Sequence, residues 1–118
     1  MAFLNEVIVA AAIQYRPNGF RKGSMCMLGR THAEIIGEFA TIGLTKTDRG
    51  FNTEVQGFWT NKNRFVTREE ALFIADHQGQ LKEPKGGILA KGYLISECVN
   101  YAPWDGWNND HSRYIPDP

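Results

Sequence analysis

One start-and-stop device occurs twice in this chain, and it limits the fold more than any other feature. Thr31 is followed three residues later by Glu34, then by Ile35, Ile36, Phe39 and Ile42, with Gly43 beyond. Thr67 is followed by Glu70, with Val66 before it, Ala71, Leu72 and Ala75 after it, and Gly79 at the end. A Thr-x-x-Glu capping box satisfies free N–H groups at a helix start, and a glycine takes the left-handed conformation that ends one. Two helices are therefore expected. The first has Ile35, Ile36, Phe39 and Ile42 on one face, and the second opens with a Val66–Ala71 staple.

Strand-prone segments surround them. Glu6 to Tyr15 reads as a mostly buried strand, although Ala10 to Ala12 also tolerate helix. Arg16-Pro17-Asn18-Gly19 is a turn, since Pro17 fixes φ and Asn18 and Gly19 both accept positive φ. Phe20 to Leu28 then returns as a second strand, ended by Gly29. Phe51 to Thr60 reads as a strand kinked at Gly57, Lys82 to Gly87 as a loop, and Ile88 to Ile95 as a last strand. The order β-β-α-β-α-β predicts an α+β fold, a single compact domain with two helices on a mainly antiparallel sheet. From Asn100 onward, Trp104, Trp107 and three prolines fall without period. That irregular aromatic C-terminal tail is either a mobile extension or an aromatic clasp across a neighbouring surface.

Charge narrows the partners. The 118 residues carry 13 Lys plus Arg against 13 Asp plus Glu, with three His left neutral. One domain of this size can bury a core without disulfides or metals. An even balance argues against coating a DNA or RNA polymer through bulk charge, so an anion would have to be gripped by a few well-placed arginines. Cys26 and Cys98 are too few for a disulfide framework or metal knuckle, and two free thiols are expected in preference to one bridge. The longest apolar run, Val7 to Ile13, is far short of the ~20 residues of a membrane span. No basic region precedes it, so neither a signal peptide nor a membrane partner is expected, and the reading is a soluble cytosolic protein.

Catalytic motifs fail one after another. His32-Ala33-Glu34 matches the first half of a zinc deaminase signature, but no P-C-x-x-C segment completes it, and Glu34 is explained as a cap. There is no phosphate-cradling G-x-x-x-x-G-K-[ST] loop, no paired histidine-x-Thr/Ser motif and no G-x-S-x-G elbow. Cys26 lies between Met25 and Met27 in a probable strand, a poor setting for a nucleophile, and His77 suits a helix C-terminus. No catalytic residue, cofactor or metal follows from any motif.

Binding-type residues remain near element ends. Arg30 and His32 flank the first helix start, where free N–H groups receive phosphate. Arg64, Phe65 and Arg68 cluster at the second, an aromatic between two arginines that suits base stacking and phosphate contacts. The ordinary alternative stays open: Phe65 and Val66 as a core edge, and Arg68 paired with an acid on its own helix. Phe58, beside Trp59, carries the same two readings.

Three segments together resemble a known family: GRTHAEII (Gly29 to Ile36), QGFWTNKNRFVTREEALFIADHQGQ (Gln56 to Gln80) and GYLISECV (Gly92 to Val99). The pattern, over roughly residues 7–99, is similar to the phage anti-Thoeris sponge family, small proteins that sequester glycocyclic ADP-ribose signals of bacterial immunity. Departures are specific. Thr31 and Glu34 stand where a second basic residue and an Asp are expected. Thr67 replaces the Asp of Phe-Val-Asp-Arg, and Cys98 replaces the last acid of Ser-Glu-Asp, a carboxylate whose loss bears on ligand preference. The resemblance implies binding without turnover by a homodimer that can build a hexamer, in the cytoplasm of an infected bacterial host. Some members also bind cyclic oligonucleotides of the CBASS pathway. By matching position, Arg30 and His32 would face phosphates, and Arg64, Phe65 and Arg68 would line a nucleotide pocket. Residues 1–99 would form the nucleotide-signal-binding domain and residues 100–118 a C-terminal extension. The rival expectations are an enzyme that cleaves such a signal, and an inhibitor of a host defence protein acting through Trp104 and Trp107.

Overall fold

The computed structural model describes residues 5–50 and 52–117. The strands are β1 (Ile8–Tyr15), β2 (Ser24–Gly29), β3 (Val55–Thr60), β4 (Phe65–Thr67) and β5 (Ser112–Ile115), and the helices are α1 (His32–Thr41), α2 (Arg68–His77) and α3 (Lys85–Lys91). All strand pairs are antiparallel, in the order β4-β3-β1-β2-β5. The α+β class expected from the sequence is the fold observed.

β1 lies at the centre and is covered on both faces. Ile8, Ala11, Ile13 and Tyr15 join Phe58, Val66, Ile35, Phe39 and Ile74 in a helix-side core. Val9, Ala10 and Ala12 join Cys26, Leu28 and Trp59 on the other face, packed by Trp104 and Trp107. Burial on both sides explains why this strand reads as a nearly continuous apolar run instead of alternating. At its start Gln80 imitates a strand partner: its Oε1 accepts the Ile8 N–H at 2.9 Å and its Nε2 donates to the Ile8 carbonyl at 2.8 Å.

Both helix starts are capped as the pattern predicts. Thr31 Oγ1 accepts the Glu34 N–H at 3.0 Å, and Thr67 Oγ1 accepts the Glu70 N–H at 3.1 Å. The reciprocal halves differ. Glu34 accepts from the Arg30 N–H, whereas the Glu70 carboxylate turns to Arg64. Gly43 and Gly79 take positive φ after the two helices. The apolar stripe of α1 is narrower than expected: Ile35 and Phe39 are buried, while Ile36 and Ile42 are 50% and 53% exposed.

Ile88 to Ile95 is not a strand, and Lys82 to Gly87 is not wholly a loop. Residues Lys85–Lys91 form α3, with Pro84 at its N-cap and Gly92 in the left-handed conformation past its end. That proline-to-glycine bracket is a helix signal, and Gly86-Gly87 masked it. The second strand begins only at Ser24 and runs through Gly29. In the turn before it, Gly19 alone takes positive φ, and Asn18 does not. The third strand begins at Val55, and Phe51 lies outside the described residues. Gly57 is not a kink. It pairs in register with Ala12 and Thr67, and a Cβ there would meet the Val66 carbonyl oxygen at 2.2 Å, so glycine permits close approach of β4.

The tail is the aromatic clasp. After a short 3-10 turn at Asp105–Asn108, β5 adds to the edge of β2, and Leu28 N–H donates to the His111 carbonyl at 2.8 Å.

Candidate functional site

Strand alternation sends Phe58 and Trp59 to opposite faces of the sheet, and this divides the candidate residues. Phe58 is fully buried on the helix side. His32 meets it there edge-on, ring centroids 5.1 Å apart, with its Nε2 2.7 Å from the Gly57 carbonyl oxygen and its backbone N–H donating to Ser96 Oγ. Burial holds the His32 pKa below its ordinary range, and the Arg68 charge works in the same direction, so the ring is neutral and latches α1 to β3. Neither side chain reaches a surface where a ligand could lie.

Arg68, at the start of α2, stacks 4.8 Å over Tyr93. Arg30, at the other end of the group, stacks 5.0 Å over Trp107 of the clasp. Arg64 is held by carboxylates. Its Nε and Nη2 donate to Glu6 at 2.7 and 3.0 Å, and Nη2 also donates to Glu70 at 2.8 Å. The buried Glu6 also accepts from Thr60 Oγ1 at 2.7 Å. Its pKa is held below the carboxylate range, chiefly by the Arg64 hydrogen bond, while burial opposes the shift. The structure thus sets His32 against Phe58 in the core, a contact the sequence did not suggest, and keeps Arg64 with Phe65 at the opposite face, while Arg30 and His32, expected together, are separated. The six residues do not converge on one pocket.

A groove does open on the face away from the helices; the sequence points to Trp59 and Trp104 among its walls, and not to Asn63, Asp105, Arg113 or Tyr114. A cavity of about 930 Å³ runs between the clasp and the sheet, walled by Trp59, Trp104, Tyr114, Asn63, Asp105 and Arg113. A second cavity of about 370 Å³ adjoins it, sharing Trp59, Asn63 and Tyr114 and adding Arg64, Phe65 and Ile115. Arg113 Nη1 donates to the carbonyls of Asp110 and Ser112, and Nη2 to that of Gly106, with the guanidinium 5.7 Å over Trp104. No ion pair among the described residues neutralises it.

Trp59 is 4% exposed, and its indole Nε1–H is buried without a hydrogen-bond partner. An unmet donor of this kind costs about 1–3 kcal/mol. The available sequence signal was aromatic density, Trp59 in β3 with Trp104, Trp107 and Tyr114 in the tail. What local pattern could not supply was the long-range β5 pairing that sets those rings against one face.

Among the described residues no group of three or more His, Cys, Asp or Glu is placed to hold a metal ion, and no helix is long and apolar enough to cross a membrane. Both cysteines are free, Cys26 buried and Cys98 half-buried. Residues 7–99 match the family model described as phage T4 y16D protein. No curated protein and no solved structure matches the chain.

Proposed function

The chain belongs to the phage T4 y16D protein family, and from that premise we propose that it is an immune-evasion protein. It binds a cyclic nucleotide signal of bacterial defence, of the glycocyclic ADP-ribose class, and sequesters it intact. The observation that carries this reading is the clasp-bounded groove, with aromatic walls and an Arg113 cation that forms no ion pair among the described residues. Aromatic rings offer sequence-tolerant faces for a base, and a guanidinium offers charge-assisted hydrogen bonds to phosphate. At about 930 Å³ the groove falls within the roughly 300–1,000 Å³ of small-molecule sites. The ligand class comes from the resemblance of Gly29–Ile36, Gln56–Gln80 and Gly92–Val99 to the sponge family.

In this reading Arg64 and Phe65 belong to the adjoining lobe, and Arg30 steadies the clasp through Trp107. His32 and Phe58 hold β3 from behind, and Arg68 braces the start of α2 against Tyr93. The protein works in the cytoplasm of the infected bacterium, as a homodimer or a hexamer built from dimers, without a cofactor. A ligand bound only by the assembly stabilises that assembly by mass action.

The test is depletion and recovery. Glycocyclic ADP-ribose is incubated with the protein, free ligand is measured after filtration, and the retained fraction is heat-denatured and chromatographed. Loss of free ligand followed by recovery of the intact molecule is expected. An altered product would make the protein an enzyme, and no depletion would overturn the reading.

A further inference from the structure

Trp59, Asn63 and Tyr114 line both the larger and the smaller cavity. The two spaces therefore adjoin as lobes of one groove, and these three side chains form the waist between them. The lobes differ in chemistry. The larger carries Arg113, the Asp105 carboxylate and the amides of Asn108 and Asn109, whereas the smaller sets the apolar Phe65, Ile115 and Pro116 beside Gln14 and an Arg64 already paired with Glu6 and Glu70. Trp59 also carries the one buried side-chain nitrogen or oxygen among the described residues that has no hydrogen-bond partner, its indole Nε1–H.

We propose that the groove is a bipartite site for a nucleoside joined to a second sugar-phosphate group, with an acceptor oxygen of the ligand taking the Trp59 indole N–H at the waist. This rests on the nucleotide-binding reading above. The base enters the smaller lobe against Phe65, where an apolar wall and an aromatic face suit it. The sugar-phosphate half lies in the larger lobe, phosphate on Arg113 and ribose hydroxyls on Asp105 and the asparagines, side chains that donate and accept as vicinal hydroxyls require. Indole N–H is a donor only, so the group it selects must accept: a phosphate or ring carbonyl oxygen, not an amino group. Nε1 is closed to solvent, so the acceptor reaches it with a side-chain adjustment at the groove wall. Binding then converts an unmet donor into a satisfied one, which rewards the correct ligand more than one lacking the acceptor.

The experiment uses the full chain and glycocyclic ADP-ribose, with isotope-labelled tryptophan indoles read by NMR and the Trp59 signal assigned by its loss in Trp59→Phe. Saturating ligand is expected to move the Trp59 indole N–H resonance strongly. Trp59→Phe, which keeps an aromatic ring and removes the donor, is expected to weaken capture by about tenfold or more. Capture by the wild-type chain with an unmoved Trp59 resonance overturns the waist while leaving the sponge reading intact. Equal capture by Trp59→Phe does the same. If Trp59→Phe does not fold, the Trp59 signal is assigned by elimination from Trp104→Phe and Trp107→Phe, the other two of the three tryptophans, and the wild-type resonance decides. Absence of any capture by the wild-type chain overturns both.

Discussion

The guanidinium of Arg64 closes a two-pronged pair on the carboxylate of Glu6, 58 positions away in the chain, with Nε to Oε2 at 2.7 Å and Nη2 to Oε1 at 3.0 Å. The pair ties the entry to β1 to the turn between β3 and β4, and Thr60 Oγ1 also donates to Oε2. Removing one partner from such a pair is worse than removing both, because a buried charge is left behind. Arg64→Ala is expected to lower unfolding free energy by about 2 kcal/mol, below the ~3–5 of a fully buried pair because the Arg64 side chain is 41% exposed. Glu6→Gln in the Arg64→Ala background should recover part of the loss. Urea denaturation of the two variants checks this, and a double variant no more stable than Arg64→Ala would contradict it.

The same carboxylate gives one limb of the pH profile, and His32 gives another. Glu6 is held below its ordinary value of 4.5, so its pairing stabilises the fold above about that pH. The contribution drains away as pH falls through the lower folded value. His32 is held below its ordinary 6.5 by burial, so its protonation favours the unfolded chain. Its stabilising share is complete above 6.5 and declines as pH drops from there towards the folded value. Thermal midpoints measured from pH 8 to 3 should therefore fall in two stages. His32→Gln should flatten the upper stage, and Glu6→Gln the lower.

The parts of the fold legible in the sequence were those set within a few residues. Thr31, Thr67, Gly43 and Gly79 act on their own helix ends, so their spacing was enough. Period-two alternation also implies that Phe58 and Trp59 face opposite ways, yet which face the helices would cover is decided elsewhere in the chain. Arg64 looked like a phosphate ligand because its acid, Glu6, is remote in sequence. The tail's tryptophans left a clasp open as one of two readings, but where it lies and the groove it bounds were hidden for the same reason: β5 pairs with β2 across most of the chain, at Cys26 with Arg113 and Met25 with Tyr114. Topological pairing of this range leaves no local trace beyond aromatic composition.

Gly57 should tolerate no side chain. A Cβ there would lie 2.2 Å from the Val66 carbonyl oxygen and 2.5 Å from Phe65 Cζ, and the first of these is backbone that can move only with β4. Gly57→Ala is expected to cost about 1–3 kcal/mol by overpacking. It should also disturb the His32 Nε2 contact with the Gly57 carbonyl. A shift in the urea midpoint smaller than that of an exposed control such as Gly86→Ala would refute the close approach.

Arg30 and Arg113 separate two placements of the phosphate. The position-matching inference puts phosphate at Arg30, where the structure stacks the guanidinium on Trp107. The proposed groove site would put it at Arg113, which lines the larger cavity. Arg30→Ala is expected to reduce stability by about 0.5–1 kcal/mol through the lost cation–π contact and to weaken capture only modestly. Arg113→Gln should weaken capture of glycocyclic ADP-ribose by about tenfold or more, as loss of a charge-assisted contact requires. Isothermal titration of both variants decides, and the reverse ranking would move the phosphate back to the first helix start.

Cys26 reports on the clasp. It is fully buried on the sheet face packed by Trp104 and Trp107, and burial pushes its thiol pKa far up, so it should be inert to thiol reagents in the intact chain. A chain ending at residue 99 keeps the family-matched span but loses β5 and both tryptophans, uncovering Val9, Ala10, Ala12, Leu28 and Trp59. An apolar sheet face of that kind binds hydrophobic dyes and associates with other copies. The truncated chain is therefore expected to melt at lower temperature, to aggregate, and to expose Cys26 to labelling. Cys98, half-buried in the intact chain, serves as the internal reference once each is replaced in turn by Ser. If Cys26 remained protected in a truncated chain that stays folded and monomeric, the clasp would not be what covers this face, and a groove bounded by it could not be the ligand site.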